Sequence, residues 1–240
     1  MLMRGSLALV GSGEYLPAMA EFEKSLITDG MSNGMNSTYI QIPTAAGRES
    51  SRRLEHWRQL GKAQADLLGV TQLFLPIYSR EGANNLEFAN QIKDAALIYI
   101  SGGDPHYLAD TLIDTPVWSA IFANWQNGGS LAGCSAGAMV FSSQITHFRV
   151  SRKKPTPGLN LISNIRVIPH FNKFFKWIPA GTAKIFINLE QDLILIGIDE
   201  LTAITKRTGQ DKWQVYGQAQ LHILRGLPER QLTHGEVIKF

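Results

Sequence analysis

The chain has 240 residues, 44% hydrophobic and 18% charged, with a formal net charge of +3. That length fits one large α/β domain or two small ones, with enough apolar content for a sizeable core. The charge is too small to argue for nucleic acid, no apolar run is long enough to span a bilayer, and the single cysteine, Cys134, excludes an internal disulfide or a multi-cysteine metal site.

The N-terminal residues lead straight into an apolar run, Ser6 to Val10, without a separate signal-peptide pattern, so a cytoplasmic protein is expected. The run reads as a first strand closed by Gly11-Ser12-Gly13-Glu14. A dinucleotide fingerprint needs a third glycine, but position 16 is Leu16, so the turn is read as a wall of a cleft. Tyr15 to Leu26 is helical in pattern. Thr38 to Ile42 is a second strand, closed by Pro43 to Gly47. Glu49 to Leu68 places Leu54, Trp57, Gly61, Ala65 and Leu68 at three- and four-residue steps, the stripe of an amphipathic helix.

Gln72 to Leu75 is a third strand and Leu86 to Ile92 a short helix. Ala95 to Ile100 is a fourth strand with no polar alternation, as expected where both faces are covered. It ends in Ser101-Gly102-Gly103-Asp104-Pro105-His106, followed by helical stretches from His106 to Thr111 and Pro116 to Trp125. The alternation predicts a three-layer αβα fold with a mostly parallel sheet. Sites in such sheets lie beyond the carboxyl ends of the strands, so Gly13, Gly47, Gly103 and Ser135 should share one rim.

A fifth strand runs into Gly133-Cys134-Ser135-Ala136-Gly137, with a helix directly after it. Gly-x-Ser-x-Gly at a strand-to-helix junction is a nucleophile elbow: the tight turn aims the Ser135 hydroxyl away from the sheet. The amides of Ala136 and Gly103 would then serve as oxyanion donors, with Gly102 and Asp104 beside them as oxyanion or substrate-binding residues. Cys134 is expected to point back into the core. A serine nucleophile needs a base. His170 follows the strand Asn164 to Ile168 and so lies on the same rim; His106 and His147 are rivals, while His56, His222 and His234 read as surface or structural.

Thr146 to Asn164 reads as a long polar loop carrying Arg149, Arg152, Lys153 and Lys154. Folded over the site, these cations would hold a substrate carboxylate. Pro179 to Glu190 is helical in pattern and Leu193 to Ile198 is a buried strand, followed by Asp199-Glu200 and a short strand, Thr202 to Thr205. Residues 206–240 read as a β-hairpin tail packed on a single 1–240 domain.

Gly102-Gly103-Asp104 after an apolar strand, Gly133 to Ala138, Gly158-Leu159 with His170-Phe171, and Gly197 to Ala203 occur in this order after a Leu9-Val10-Gly11-Ser12-Gly13-Glu14 start. The series resembles peptidase family S51, which includes dipeptidase E and cyanophycinase. The resemblance implies a flavodoxin-like sheet related to class I glutamine amidotransferases. It also implies a serine nucleophile at Ser135, a histidine base at His170 and action on aspartyl-containing peptides or a related polymer, with no metal or cofactor. A small peptide substrate follows, with no nucleic acid or membrane partner; a homodimer is compatible with the sequence.

In the family an acid between serine and histidine completes the triad, yet between Ser135 and His170 this chain has no Asp or Glu. Glu200 or Asp199 can replace it from a later strand end, Asn172 or Gln144 can orient the ring as a neutral partner, or the chain is an impaired relative that only binds a ligand. Glu200 is favoured because it too follows a strand end. An amidase-like hydrolase is a further alternative.

Overall fold

The computed structural model describes residues 4–145, 156–174 and 193–240. The first half runs β1 (Leu7–Val10), α1 (Ala20–Ser32), β2 (Asn36–Ile42), α2 (Ser51–Leu68), β3 (Thr71–Phe74), α3 (Arg80–Asn84), α4 (Leu86–Gln91), β4 (Ala95–Ile100), α5 (Pro105–Leu112) and α6 (Pro116–Gln126). Then follow β5 (Ser130–Cys134), α7 (Ala136–Val140), the short β6 (Gln144–Ile145) and β7 (Thr156–Pro157), β8 (Ile165–Ile168) and α8 (Phe171–Phe174). The chain closes with β9 (Ile194–Ile198), β10 (Thr202–Lys206), β11 (Trp213–Gly217), β12 (Leu221–Arg225), β13 (Arg230–Leu232) and β14 (Val237–Ile238).

Local chemistry sets the boundaries. The Ser50 hydroxyl caps α2, and Gly69, at φ 68°, ends it in the left-handed conformation. Thr115 caps α6, with Pro116 in its first turn. The expected helix from Tyr15 begins later, at Ala20: Tyr15 takes φ 60° and Pro17 opens a 3₁₀ turn, Pro17–Met19, before the helix starts.

The main sheet has eight strands in the order β14-β11-β10-β1-β5-β4-β2-β3. β1, β5, β4, β2 and β3 run parallel, as the strand–helix alternation predicts. Along β4, side chains alternate between two cores. Leu97 and Tyr99 meet Phe22 and Leu26 of α1 and Ala65 of α2. Ile98 and Ile100 meet Leu108 of α5, Ile121 and Trp125 of α6 and Met139 of α7. The result is a sheet between helical layers.

The C-terminal strands form antiparallel pairs, β10 with β11 and β12 with β13, that are built into the two sheets. β10, β11 and β14 extend the main sheet antiparallel beyond β1. β12 and β13 join β9 and β8 in a second, four-stranded sheet ordered β13-β12-β9-β8. The tail thus supplies strands to both sheets. The turn Asp199 to Leu201 carries the chain from the second sheet into the first. The expected basic loop around Arg149 and Lys153, His147, and the expected helix Pro179 to Glu190 lie outside the described residues. No helix among the described residues is long and apolar enough to cross a membrane.

Candidate active site

β5 leads directly into α7, and Ser135 at the junction takes φ 51° and ψ −108°. A non-glycine residue rarely adopts such a conformation unless its surroundings impose it. They do so here. The Ser135 amide donates to the Val10 carbonyl at 2.9 Å. A Cβ at Gly133 would collide with the Gly137 carbonyl, and one at Gly137 with the carbonyl of Ile100. The two glycines of the motif therefore let helix and strand close tightly around the serine, which remains partly exposed.

The second sheet brings the partners. β8 and β9 are parallel neighbours, with Ile168 opposite Gly197. Two residues past Ile168 stands His170; three past Gly197 stands Glu200. The register alone sets them side by side. His170 Nδ1 lies 3.0 Å from Glu200 Oε1, and His170 Nε2 lies 3.0 Å from Ser135 Oγ. An ionised carboxylate only accepts, so Nδ1 carries the proton toward Glu200 and Nε2 is left to accept from the serine hydroxyl.

Glu200 is itself held. Lys173 Nζ lies 2.7 Å from Oε2, and the Glu200 amide donates to Asn172 Oδ1 at 3.2 Å. Partial burial pushes the Glu200 carboxyl up, but the Lys173 and His170 contacts outweigh it, so the group sits below the usual carboxylate range. Of the alternative partners, Asn172 bonds the Glu200 backbone, and Asp199 turns away. Asp199 Oδ1 lies 3.0 Å from His222 Nε2, and its Oδ2 accepts from the Gln220 amide at 3.1 Å. Gln144 is in β6. His222, read from sequence as structural, also lies with its ring centroid 4.5 Å from that of Phe171.

The loop after β4 also reaches the site. A Cβ at Gly102 would lie 3.2 Å from Ser135 Cβ and 3.6 Å from Ser135 Oγ. The N–H of Gly102, the residue expected beside the oxyanion donors, donates to the buried carboxylate of Glu14 at 2.9 Å. Gly103 is exposed and packs its α-carbon against the Ala45 carbonyl. Asp104 Oδ1 accepts from the amides of His106 and Tyr107, at 2.9 and 3.1 Å, and so caps α5. Ala136 is buried at the start of α7, where its amide lacks a helical acceptor.

Cys134 is fully buried, but its surroundings are not apolar: Sγ donates to Glu14 Oε2 at 3.0 Å. Burial first, then the Glu14 charge, push its thiol well above the usual range, so it stays protonated. Sequence reasoning placed Glu14 in a cleft-wall turn without giving its carboxylate a role; its acidity and its place in the Leu9 to Glu14 start were the available signals. Among the described residues, no group of His, Cys, Asp and Glu side chains gathers as a metal site. A cavity of about 820 Å³, with Arg4, Trp125, Lys206 and Trp213 in its walls, opens at the opposite end of β1 and shares no residue with Ser135, His170 or Glu200.

The chain is similar to the cyanophycinase of Trichormus variabilis, 28% identical over 218 residues, covering 84% of this chain and 67% of that protein. It is also similar to the cyanophycinase of Synechococcus elongatus, 27% identical over 183 residues, covering 70% of this chain and 53% of that one. Among solved structures, a peptidase from an acI-B1 Actinobacterium is 65% identical with a TM-score of 0.95, covering 100% of this chain and 98% of that one. A putative peptidase E protein from Listeria monocytogenes shares the fold at 23% identity and a TM-score of 0.63, covering 90% of this chain and 100% of that one. The sequence model of peptidase family S51 matches residues 7–212, and the chain belongs to that family.

Proposed function

We propose that the protein is a serine-type peptidase that cleaves short peptides, aspartyl-containing ones or a related polymer among them, through an acyl-enzyme on Ser135. One observation carries this reading: the unbroken relay from Ser135 Oγ to His170 to Glu200, each step 3.0 Å. Ser135 Oγ attacks the scissile carbonyl carbon while His170 Nε2 takes its proton. The carbonyl oxygen becomes an oxyanion, which the Gly103 and Ala136 amides stabilise; one such donor lowers the barrier by roughly 3 kcal/mol. The imidazolium then protonates the leaving amine, and the C–N bond breaks. Water, deprotonated by the same nitrogen, hydrolyses the ester and restores Ser135. Glu200 holds the productive tautomer throughout and stabilises the imidazolium. The substrate class is supported by the cyanophycinase relatives and by family membership.

The test is labelling with a fluorophosphonate, followed by a panel of α- and β-linked aspartyl dipeptides and cyanophycin. Wild type should be labelled, Ser135→Ala should not, and wild type should cleave at least one member of the panel. A wild type that resists labelling while its fold is intact would instead indicate a protein that binds ligands in this cleft without catalysis.

A further inference from the structure

The Gly11-Ser12-Gly13-Glu14 turn takes no part in the relay, yet it touches the neighbours of two of its members: Cys134, beside Ser135, and the Asp199 to Thr202 segment that carries Glu200. Gly11 donates to the Thr202 carbonyl at 2.9 Å, and its α-carbon abuts the Asp199 carbonyl, so the turn is wedged against the segment that carries Glu200. From there Glu14 extends a buried side chain toward the nucleophile. Both of its oxygens are engaged, Oε1 by the Gly102 amide at 2.9 Å and Oε2 by the Cys134 thiol at 3.0 Å. A Cβ at Gly102 would lie 2.7 Å from Glu14 Oε1 and 3.2 Å from Ser135 Cβ, so carboxylate, glycine and serine converge on one point.

We propose that Glu14 is a positioning residue, whose carboxylate fixes the Ser101–Gly102 peptide so that the following amide, Gly103, is presented to the oxyanion formed at Ser135. The inference rests on the Ser135 acyl-transfer reading above. Its physical ground is the choice of group. A buried turn amide can be satisfied by any carbonyl, at far lower desolvation cost than a carboxylate incurs. A charged acceptor makes a stronger and more directional bond. Rigidity of this kind matters where a donor must already point at charge that appears only in the transition state. Glycine at 102 is required for the same reason: any side chain there would occupy the space between the carboxylate and the serine.

Inactivation by a fluorophosphonate separates the chemical step, kinact, from binding, KI, and needs no knowledge of the substrate. Glu14→Asp keeps the charge but withdraws it from the Gly102 amide. It should lower kinact about 10- to 100-fold with KI within about twofold, consistent with the weakening of one oxyanion donor. Glu14→Gln keeps a neutral, weaker acceptor in place and should lose about 3- to 10-fold, less than Glu14→Asp. Cys134→Ala removes the other contact of the carboxylate and should leave kinact unchanged. Circular dichroism and thermal melting accompany each variant. The proposal is overturned if Glu14→Gln loses as much as Glu14→Asp, if the loss falls on KI rather than kinact, or if Cys134→Ala matches Glu14→Asp. A wild type that is never labelled defeats the Ser135 reading itself; a labelled wild type with Glu14 variants unaffected defeats only the role of Glu14.

Discussion

Glu200 reaches the imidazole from beyond it in the chain, an order that spacing between serine and histidine alone does not reveal. Its removal should be felt mainly in the chemistry. Glu200→Gln is expected to lower kcat/KM by about three to four orders of magnitude, because the amide can donate to Nδ1 and so favours the wrong tautomer. Turnover of a cleaved panel peptide, with a melting temperature close to wild type, checks this; retention of more than a tenth of the activity would assign orientation of the ring to another group. A second carboxyl titrates for a different reason. Burial pushes Glu23 up to about 7, against the hydrogen bonds that it accepts from Gln64 and Tyr39. The folded state therefore keeps this proton at a pH where the unfolded chain has released it. Stability should fall as pH rises from about 4.5 to about 7 and stay level above, a loss of up to ~3 kcal/mol. Chemical denaturation at pH 5 and pH 8 should show that loss in wild type but not in Glu23→Gln; equal losses would contradict it.

Among elements, α5 shows how a residue read for function also carries an architectural task. Asp104 follows the Gly102-Gly103 turn, and from sequence its carboxylate is a candidate substrate contact. In the fold it caps the helix that begins with Pro105. Asp104→Ala should cost about 1 kcal/mol, or roughly 2–4 °C in melting temperature, while Asp104→Asn, an equally good cap, should retain both stability and activity. Loss of activity in the Asn variant at unchanged stability would restore the substrate role. The elbow was legible because its signal is local: small residues, a strand before and a helix after. The pairing of β8 with β9 was not, since a buried apolar strand reads the same in either sheet. Glu14 was opaque for a related reason, because its acceptor role depends on an amide 88 residues away.

Across the molecule, backbone strain is unevenly distributed. Among the described residues, the non-glycine positions at positive φ include Asp94, Asp114 and Asn160, types that tolerate it. The others are Tyr15, Ser135, His170 and Leu201, and each is a member of the relay or adjoins Glu14 or Glu200. Strain of about 1–3 kcal/mol per residue persists only where the surroundings over-determine it. The parallel sheet, both helical layers and the rim position of Ser135 followed from the order of apolar runs; the concentration of strain did not, because it arises from contacts between distant turns. Two separate sheets meet at the relay, one bearing the hydroxyl and the other the imidazole with its carboxylate. The gap between them belongs to a seam, and a seam parts before the cloth on either side tears. On gradual heating, fluorophosphonate labelling should therefore be half lost at a lower temperature than the far-ultraviolet dichroism, and coincident midpoints would mean that the two sheets melt as one.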